Sequence, residues 1–252
     1  MMNNDYIFNG NKAFKTLRQH ELSSQSFVDA ALKFDELIHK FHEFEIDIAS
    51  LLGMRNLSAF VGELYASCLI KSTGDIFKKN PHQDGYPDLL LMDEHGMDLW
   101  RSLGARLREK SPFSPFATGG IEVKATCGDI PSAKQFTHKG LVKPDIGDQR
   151  IAHVKNINWK AHHRDTNQLL GLYWDFIDRK PKIAGVFYSA ELTVEDWGKI
   201  VHPTEGGGRT TSVSIMGKSG IQKMCSSWVC ILNDSSYIDF FKRYGGIKII
   251  SG

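Results

Sequence analysis

Apolar and polar positions follow two periods along this chain. Over residues 22–52, LSSQSFVDAALKFDELIHKFHEFEIDIASLL, the apolar Phe27, Ala31, Phe34, Leu37, Ile38 and Phe41 recur at spacings of three and four, which predicts a helix. Ser23 or Ser24 suits its N-cap. A second helix is predicted over 57–71, LSAFVGELYASCLIK, with Ser58 as N-cap and Gly74 as the stop beyond its end. The period then changes to two. Asp75–Lys79 reads as a short strand, and Pro87–Asp93 as a compact apolar strand opened by proline. In residues 120–126, Ile121, Val123 and Ala125 face one way and Glu122, Lys124 and Thr126 the other. Residues 168–191 read as a hairpin turning at Arg179-Lys180-Pro181, and Thr193–Ile200 as a short helix. The segment EGGGRTTSVSIMGKSG carries a strand in its middle, and 220–244 mixes strand and helix.

This order of elements predicts an α/β or α+β chain with a central mixed sheet flanked by helices. The 252 residues are read as a single domain spanning 1–252, with an N-terminal helical region at 1–56 and an insertion at 94–119. The insertion holds a helical stretch, LWRSLGARLREK, and the turn-rich SPFSPFATGG.

Composition adds limits. Hydrophobic residues make up 41% of the chain and charged residues 24%, as in ordinary globular proteins. No apolar run approaches the ~18 residues of a membrane span, and the first residues lack a signal-peptide layout, so a cytoplasmic protein with no membrane partner is expected. Cys68, Cys127, Cys225 and Cys230 form no CxxC pair, and reduced thiols fit them better than a zinc site. A net charge of +2 does not mark nucleic acid as a partner, although basic groups can be gathered in one cleft.

The candidate chemistry lies in Asp88, Glu122 and Lys124. Were their two strands antiparallel neighbours, the two carboxylates would meet at one point, where they repel unless a cation neutralises them. Mg²⁺ suits such a site, since it takes oxygen ligands and often uses only one or two carboxylates. Lys124 beside it would orient a water, assist its deprotonation and offset charge on a phosphorane. Glu63, inside a mostly apolar helix, either faces solvent or points into that cleft to hold Lys124 or a second metal. Spacing alone fits equally a cross-strand ion pair on a solvated face. Gly119 and Gly120 stand just before the second strand, where a substrate backbone has room to approach.

GYPDLLLMD followed by GGIEVKAT resembles the PD-(D/E)XK nuclease motif, most familiar from type II restriction endonucleases. The resemblance rests on Pro87, Asp88, Glu122, Val123 and Lys124, and more loosely on the order helix, strand, strand, strand. It implies a restriction-endonuclease-like core and Mg²⁺-dependent hydrolysis of phosphodiesters in double-stranded DNA, leaving 5′-phosphates. It further implies that Asp88 and Glu122 are metal ligands and Lys124 the catalytic lysine, and that Glu63 matches an acidic residue some members carry on the first core helix. A site-specific enzyme of this kind is expected to be a homodimer, because a palindrome presents the same chemistry on each strand. The chain departs from compact members in the 33 residues between Asp88 and Glu122, which the insertion accounts for if it loops out of the core.

The segment 149–168, QRIAHVKNINWKAHHRDTNQ, is dense in groups that pair with bases and phosphates. Arg150, Lys155, Asn158, Lys160, His162, His163, Arg164, Asp165 and Asn167 are the candidate DNA-reading residues, with Arg209 from the glycine-rich segment. An ordinary polar surface loop is the plainer reading. His162 and His163 as joint ligands of one ion are disfavoured, since neighbours in an extended segment point apart. Gly217-Lys218-Ser219 is not a phosphate-binding loop, because Ser212 occupies the position of the required upstream glycine. A repair or recombination nuclease of the same fold, and a non-catalytic DNA-binding protein, are the alternatives. A metabolic hydrolase is disfavoured by the lack of G-x-S-x-G and G-x-G-x-x-G patterns.

Overall fold

The structure, a computed structural model, describes residues 5–10, 12–114, 118–203 and 211–248. Its centre is a hairpin of β8 (Leu169–Ile177) and β9 (Lys180–Ser189), whose side chains are apolar on both faces and almost all buried. A strand buried on both sides cannot alternate, so these runs read as continuous hydrophobic stretches. Asp178 and Arg179 join them with φ of 49° and 64°, the paired left-handed residues of a tight two-residue turn. β9 pairs antiparallel with β11 (Trp228–Leu232), which in turn pairs with β1 (Tyr6–Phe8) at one edge. On the other side, β6 (Glu122–Thr126) runs parallel to β8, with Glu122 opposite Leu169. The sheet order is therefore β1-β11-β9-β8-β6, mixed as expected.

Helices cover both faces. On one lie α1 (Ser24–Glu43) and α3 (Met54–Ser72), in contact with each other and with β9 and β6 respectively. On the other lie α6 (Lys218–Ser226) and α7 (Ser235–Gly245). Consecutive residues of β9 separate the layers: Tyr188 packs on Phe27 of α1 with ring centroids 6.1 Å apart, whereas Phe187 packs on Phe241 of α7 at 5.2 Å. Inside the sheet, the buried Asp175 takes the backbone N–H groups of Arg150 and Ile151, each at 2.9 Å, and the Tyr237 hydroxyl at 3.2 Å. This fixes where residues 149–151 enter the core.

Several boundaries differ from the sequence reading. The N-terminal region is not helical throughout. It begins with β1 and a small ribbon of β2 (Phe14–Lys15) and β3 (Glu21–Leu22). The helix predicted to Leu52 breaks after Glu43, where Glu45 adopts a left-handed φ of 56° and Asp47 caps the short α2 (Ile48–Leu51). Helix α3 starts about one turn earlier than predicted, at Met54 with Gly53 as its N-cap, and Ser58 sits inside it, accepting a hydrogen bond from Trp174 at 3.3 Å. The predicted helix at Thr193–Ile200 is only a 3-10 turn at Val194–Asp196.

Strands β4 (Phe77–Lys79) and β5 (Leu89–Leu91) form a ribbon. The insertion then leaves the core. Helix α4 (Glu94–Leu103) and the 3-10 turn after it pack on Leu90, Met92 and Phe113, a small apolar cluster separate from the main one. The chain returns at Ile121, which exchanges two backbone hydrogen bonds with Leu89 at 2.8 and 3.0 Å. So β5 docks antiparallel on the start of β6. Helix α5 (Ala133–His138) and the ribbon of β7 (Lys160–Ala161) with β10 (Ser214–Ile215) lie beyond it in sequence. Among the described residues no helix is long and apolar enough to cross a membrane.

Candidate active site

The junction of β5 and β6 builds the site. Gly120 permits it: a Cβ there would sit 2.1 Å from the Leu89 carbonyl oxygen and 2.5 Å from Pro87 Cγ. The glycine was expected to make room for a substrate backbone. It makes room for the protein's own strand instead. One residue further along, Asp88 Oδ2 accepts the Val123 N–H at 2.7 Å, so the carboxylate is held against β6.

Strand alternation puts Glu122 and Lys124 on one side of β6, while Ala125 on the other side meets Gly62 of α3. Lys124 Nζ lies 2.5 Å from Glu122 Oε1 and 3.5 Å from Asp88 Oδ2, bridging the two acids. Glu122 is fully buried at 0% exposure, and its Oε2 makes no hydrogen bond of normal geometry. Leaving such an oxygen unsatisfied costs about 1–3 kcal/mol or more when charged. Burial accordingly pushes the Glu122 carboxyl up to about 7, with the Asp88 carboxylate adding to the rise and Lys124 working against it. Burial works to lower the Lys124 pKa, but the Asp88 and Glu122 carboxylates more than offset it and hold the ammonium protonated.

Two adjoining concavities open beside this trio. One, of about 260 Å³, lies between α3 and the β5–β6 junction and is lined by Glu63, Lys79, Asp88 and Lys124 among others. The second, of about 410 Å³, is ringed by residues 79–83 and shares Glu63, Lys79 and Asp88. Glu63 lines both concavities, but its carboxylate is exposed to solvent and pairs with Lys79, not Lys124. Among the described residues, no three His, Cys, Asp or Glu side chains converge as a metal cage. Asp88 and Glu122 are two carboxylates held together by a single cation.

Tyr86 and His163 are further neighbours. Their rings meet edge to face at 4.4 Å, and Tyr86 is raised in pKa by burial and by the Glu122 carboxylate. His163 is lowered by burial, opposed by Asp165 and reinforced by Lys124. The sequence does not mark Tyr86, because an aromatic before Pro-Asp carries no pattern of its own. Only its contact with residues 162–163, far along the chain, marks it.

The other candidate DNA-reading residues divide by exposure. Lys155, Lys160, His162 and Asp165 are exposed. Lys160 lies in β7, and His162 Nδ1 is 3.1 Å from the Ser212 carbonyl oxygen. Asn158 is half-buried and donates to Asp129, while Arg164 donates to the Val194 carbonyl at 2.8 Å. Asn167 is half-buried, its carbonyl accepting from Leu192 N at 3.2 Å. Arg150 is buried, at 9% exposure, where Asp175 draws its backbone into the core. Arg209 lies outside the described residues. All four cysteines are free thiols. Comparison with protein-family models, curated proteins and solved structures finds no match to this chain.

Proposed function

We propose that the protein is a Mg²⁺-dependent endonuclease of double-stranded DNA, with a restriction-endonuclease-like core and Asp88, Glu122 and Lys124 at its active centre. The observation that carries this reading is the meeting of Asp88 with a fully buried, incompletely satisfied Glu122 where the two segments join through the antiparallel Leu89–Ile121 bridge, both carboxylates touched by one lysine. A buried carboxylate with an open oxygen is costly in a merely structural role, and a bound cation removes that cost.

The donor set fits Mg²⁺: hard oxygens, two carboxylates, and an adjoining cleft wide enough for waters and a phosphate. Mg²⁺, when bound, supplies charge neutralisation and Lewis-acid polarisation of a phosphoryl oxygen. Asp88 and Glu122 would hold the ion. Lys124 beside the ion would orient the attacking water, whose proton leaves to solvent, and donate to the phosphoryl oxygen that gains charge. The exposed Lys155, Lys160 and His162 supply phosphate and base contacts from the neighbouring segment, and two copies related by a two-fold axis act on a palindrome.

The test is incubation of the purified protein with a mixed-sequence plasmid in Mg²⁺ and in EDTA. Discrete fragments only with Mg²⁺ are expected. A Mg²⁺-dependent smear moves the reading to a repair or non-specific nuclease. Plasmid that is bound but intact favours the non-catalytic alternative, and plasmid neither bound nor cut removes the reading.

A further inference from the structure

The loop between β4 and β5, residues 80–87, is tied at every turn. Asn80 N donates to the Asp88 carbonyl at 2.9 Å, extending the β4–β5 ladder, and Asn80 Nδ2 donates to the Pro87 carbonyl at 3.1 Å. Asn80 Oδ1 accepts His82 N at 3.0 Å, and Gly85 N donates to the His82 carbonyl at 3.0 Å. The Asn80 side chain also fills the space where a Cβ at Gly85 would sit, at 2.6 Å. A loop so braced is pre-organised, and it ends on Asp88.

Within it, the Asp84 backbone N–H donates to His82 Nδ1 at 3.0 Å. A backbone N–H can only donate, so Nδ1 must be the lone-pair nitrogen. The neutral imidazole then carries its hydrogen on Nε2, at the ring's other edge. Among the described residues nothing accepts that hydrogen. The ring lines the 410 Å³ concavity together with Lys79, Asn80, Gln83 and Asp88. The one other carboxylate lining it, Glu63, is engaged by Lys79. A residue that lines the cleft thus carries an N–H donor without an acceptor among the described residues, in the braced loop that ends on the candidate metal ligand.

We propose that His82 is a substrate-binding residue of this site, donating from Nε2 to a non-bridging oxygen of the phosphodiester next to the one cleaved. The inference rests on the nuclease reading and adds to it a residue and a subsite. A neutral donor suits the position. It recognises a phosphate oxygen without placing a third cation beside Lys79 and Lys124, where it would compete with the metal for Asp88.

Two measurements test it. Long-range ¹H–¹⁵N spectra of the metal-free protein, with the His82 signals assigned by their loss in His82→Gln, are expected to show the Nε2–H tautomer. An Nδ1–H tautomer overturns the inference. Steady-state cleavage of plasmid is expected to show KM raised about tenfold in His82→Ala, the loss of one hydrogen bond to a charged group, with kcat within about twofold. His82→Gln, which keeps a donor, should recover part of the loss. Wild-type KM and kcat in His82→Ala overturn this inference alone. A wild-type protein that cuts no DNA removes the nuclease reading, and the inference falls with it.

Discussion

Glu122 is the buried acid on which the candidate site turns. Its folded-state pKa is raised from the ordinary 4.5 to about 7 by burial first, so between those values the folded protein holds a proton that the unfolded chain has released. Stability contributed by this group is full below about pH 4.5 and is lost as pH rises through about 7, by roughly 3 kcal/mol. Glu122→Gln, which mimics the protonated side chain, should therefore be more stable than wild type in urea at pH 8 in EDTA, with the difference vanishing near pH 5. A difference independent of pH would show that the carboxylate is not desolvated in solution. Asp175 is a second buried acid, raised by burial to about 6 although four hydrogen bonds work against the shift. Asp175→Ala leaves the Arg150 and Ile151 N–H groups without their acceptor and should cost about 2–4 kcal/mol, read from the urea midpoint. The sequence shows the Asp88, Glu122 and Lys124 trio because strand alternation and a Pro-Asp start are local patterns. It does not show Asp175, His82 or Tyr86, whose meaning depends on which distant backbone N–H or ring each one meets.

Among the elements, the β5–β6 junction decides whether there is a site at all. Both strands are evident in the sequence as apolar runs. Their antiparallel contact is not, because one pair of backbone hydrogen bonds at Leu89 and Ile121 and one glycine bring it about. Gly120→Ala would drive a methyl group into the Leu89 carbonyl and should cost roughly 2–4 kcal/mol, with loss of the site. Gly53→Ala at the start of α3, where a Cβ meets nothing within 4 Å, is the matched control and should change the melting temperature little. Equal effects would mean that the close approach is absent. The start of α1 and both ends of α3 are legible to within about a turn, because a 3.6-residue period survives end effects, whereas α4 begins five residues before the helical stretch read at Leu99. The break after α1 was not, since Glu45 in a left-handed conformation has no signature of the kind Gly74 supplies after α3. The edge strand β1 was also missed. Three residues have too little period to detect, and their partner β11 lies more than two hundred residues away.

Over the whole molecule, a sheet covered on both faces positions a cleft at one end of β5 and β6, while the insertion 94–114 folds on its own small cluster and leaves that cleft clear. The long Asp88-to-Glu122 separation is thus compatible with strand adjacency. A cation that binds only the folded protein must stabilise the entire fold, by about 2.7 kcal/mol at a hundredfold excess over Kd. Mg²⁺ should therefore raise the melting temperature of wild type by roughly 5–10 °C at such an excess and leave that of Asp88→Ala unmoved. The central claim, that Asp88, Glu122 and Lys124 form a phosphodiester-cleaving centre, is tested most directly by supercoiled plasmid incubated in Mg²⁺ with wild type, Asp88→Ala and Lys124→Ala in parallel, each checked for native circular dichroism. The account predicts cleavage by wild type, and in both folded variants DNA that is bound but uncut, with rates down by a thousandfold or more, on the order of 4 kcal/mol in transition-state stabilisation. Cleavage at the wild-type rate by either variant would contradict it.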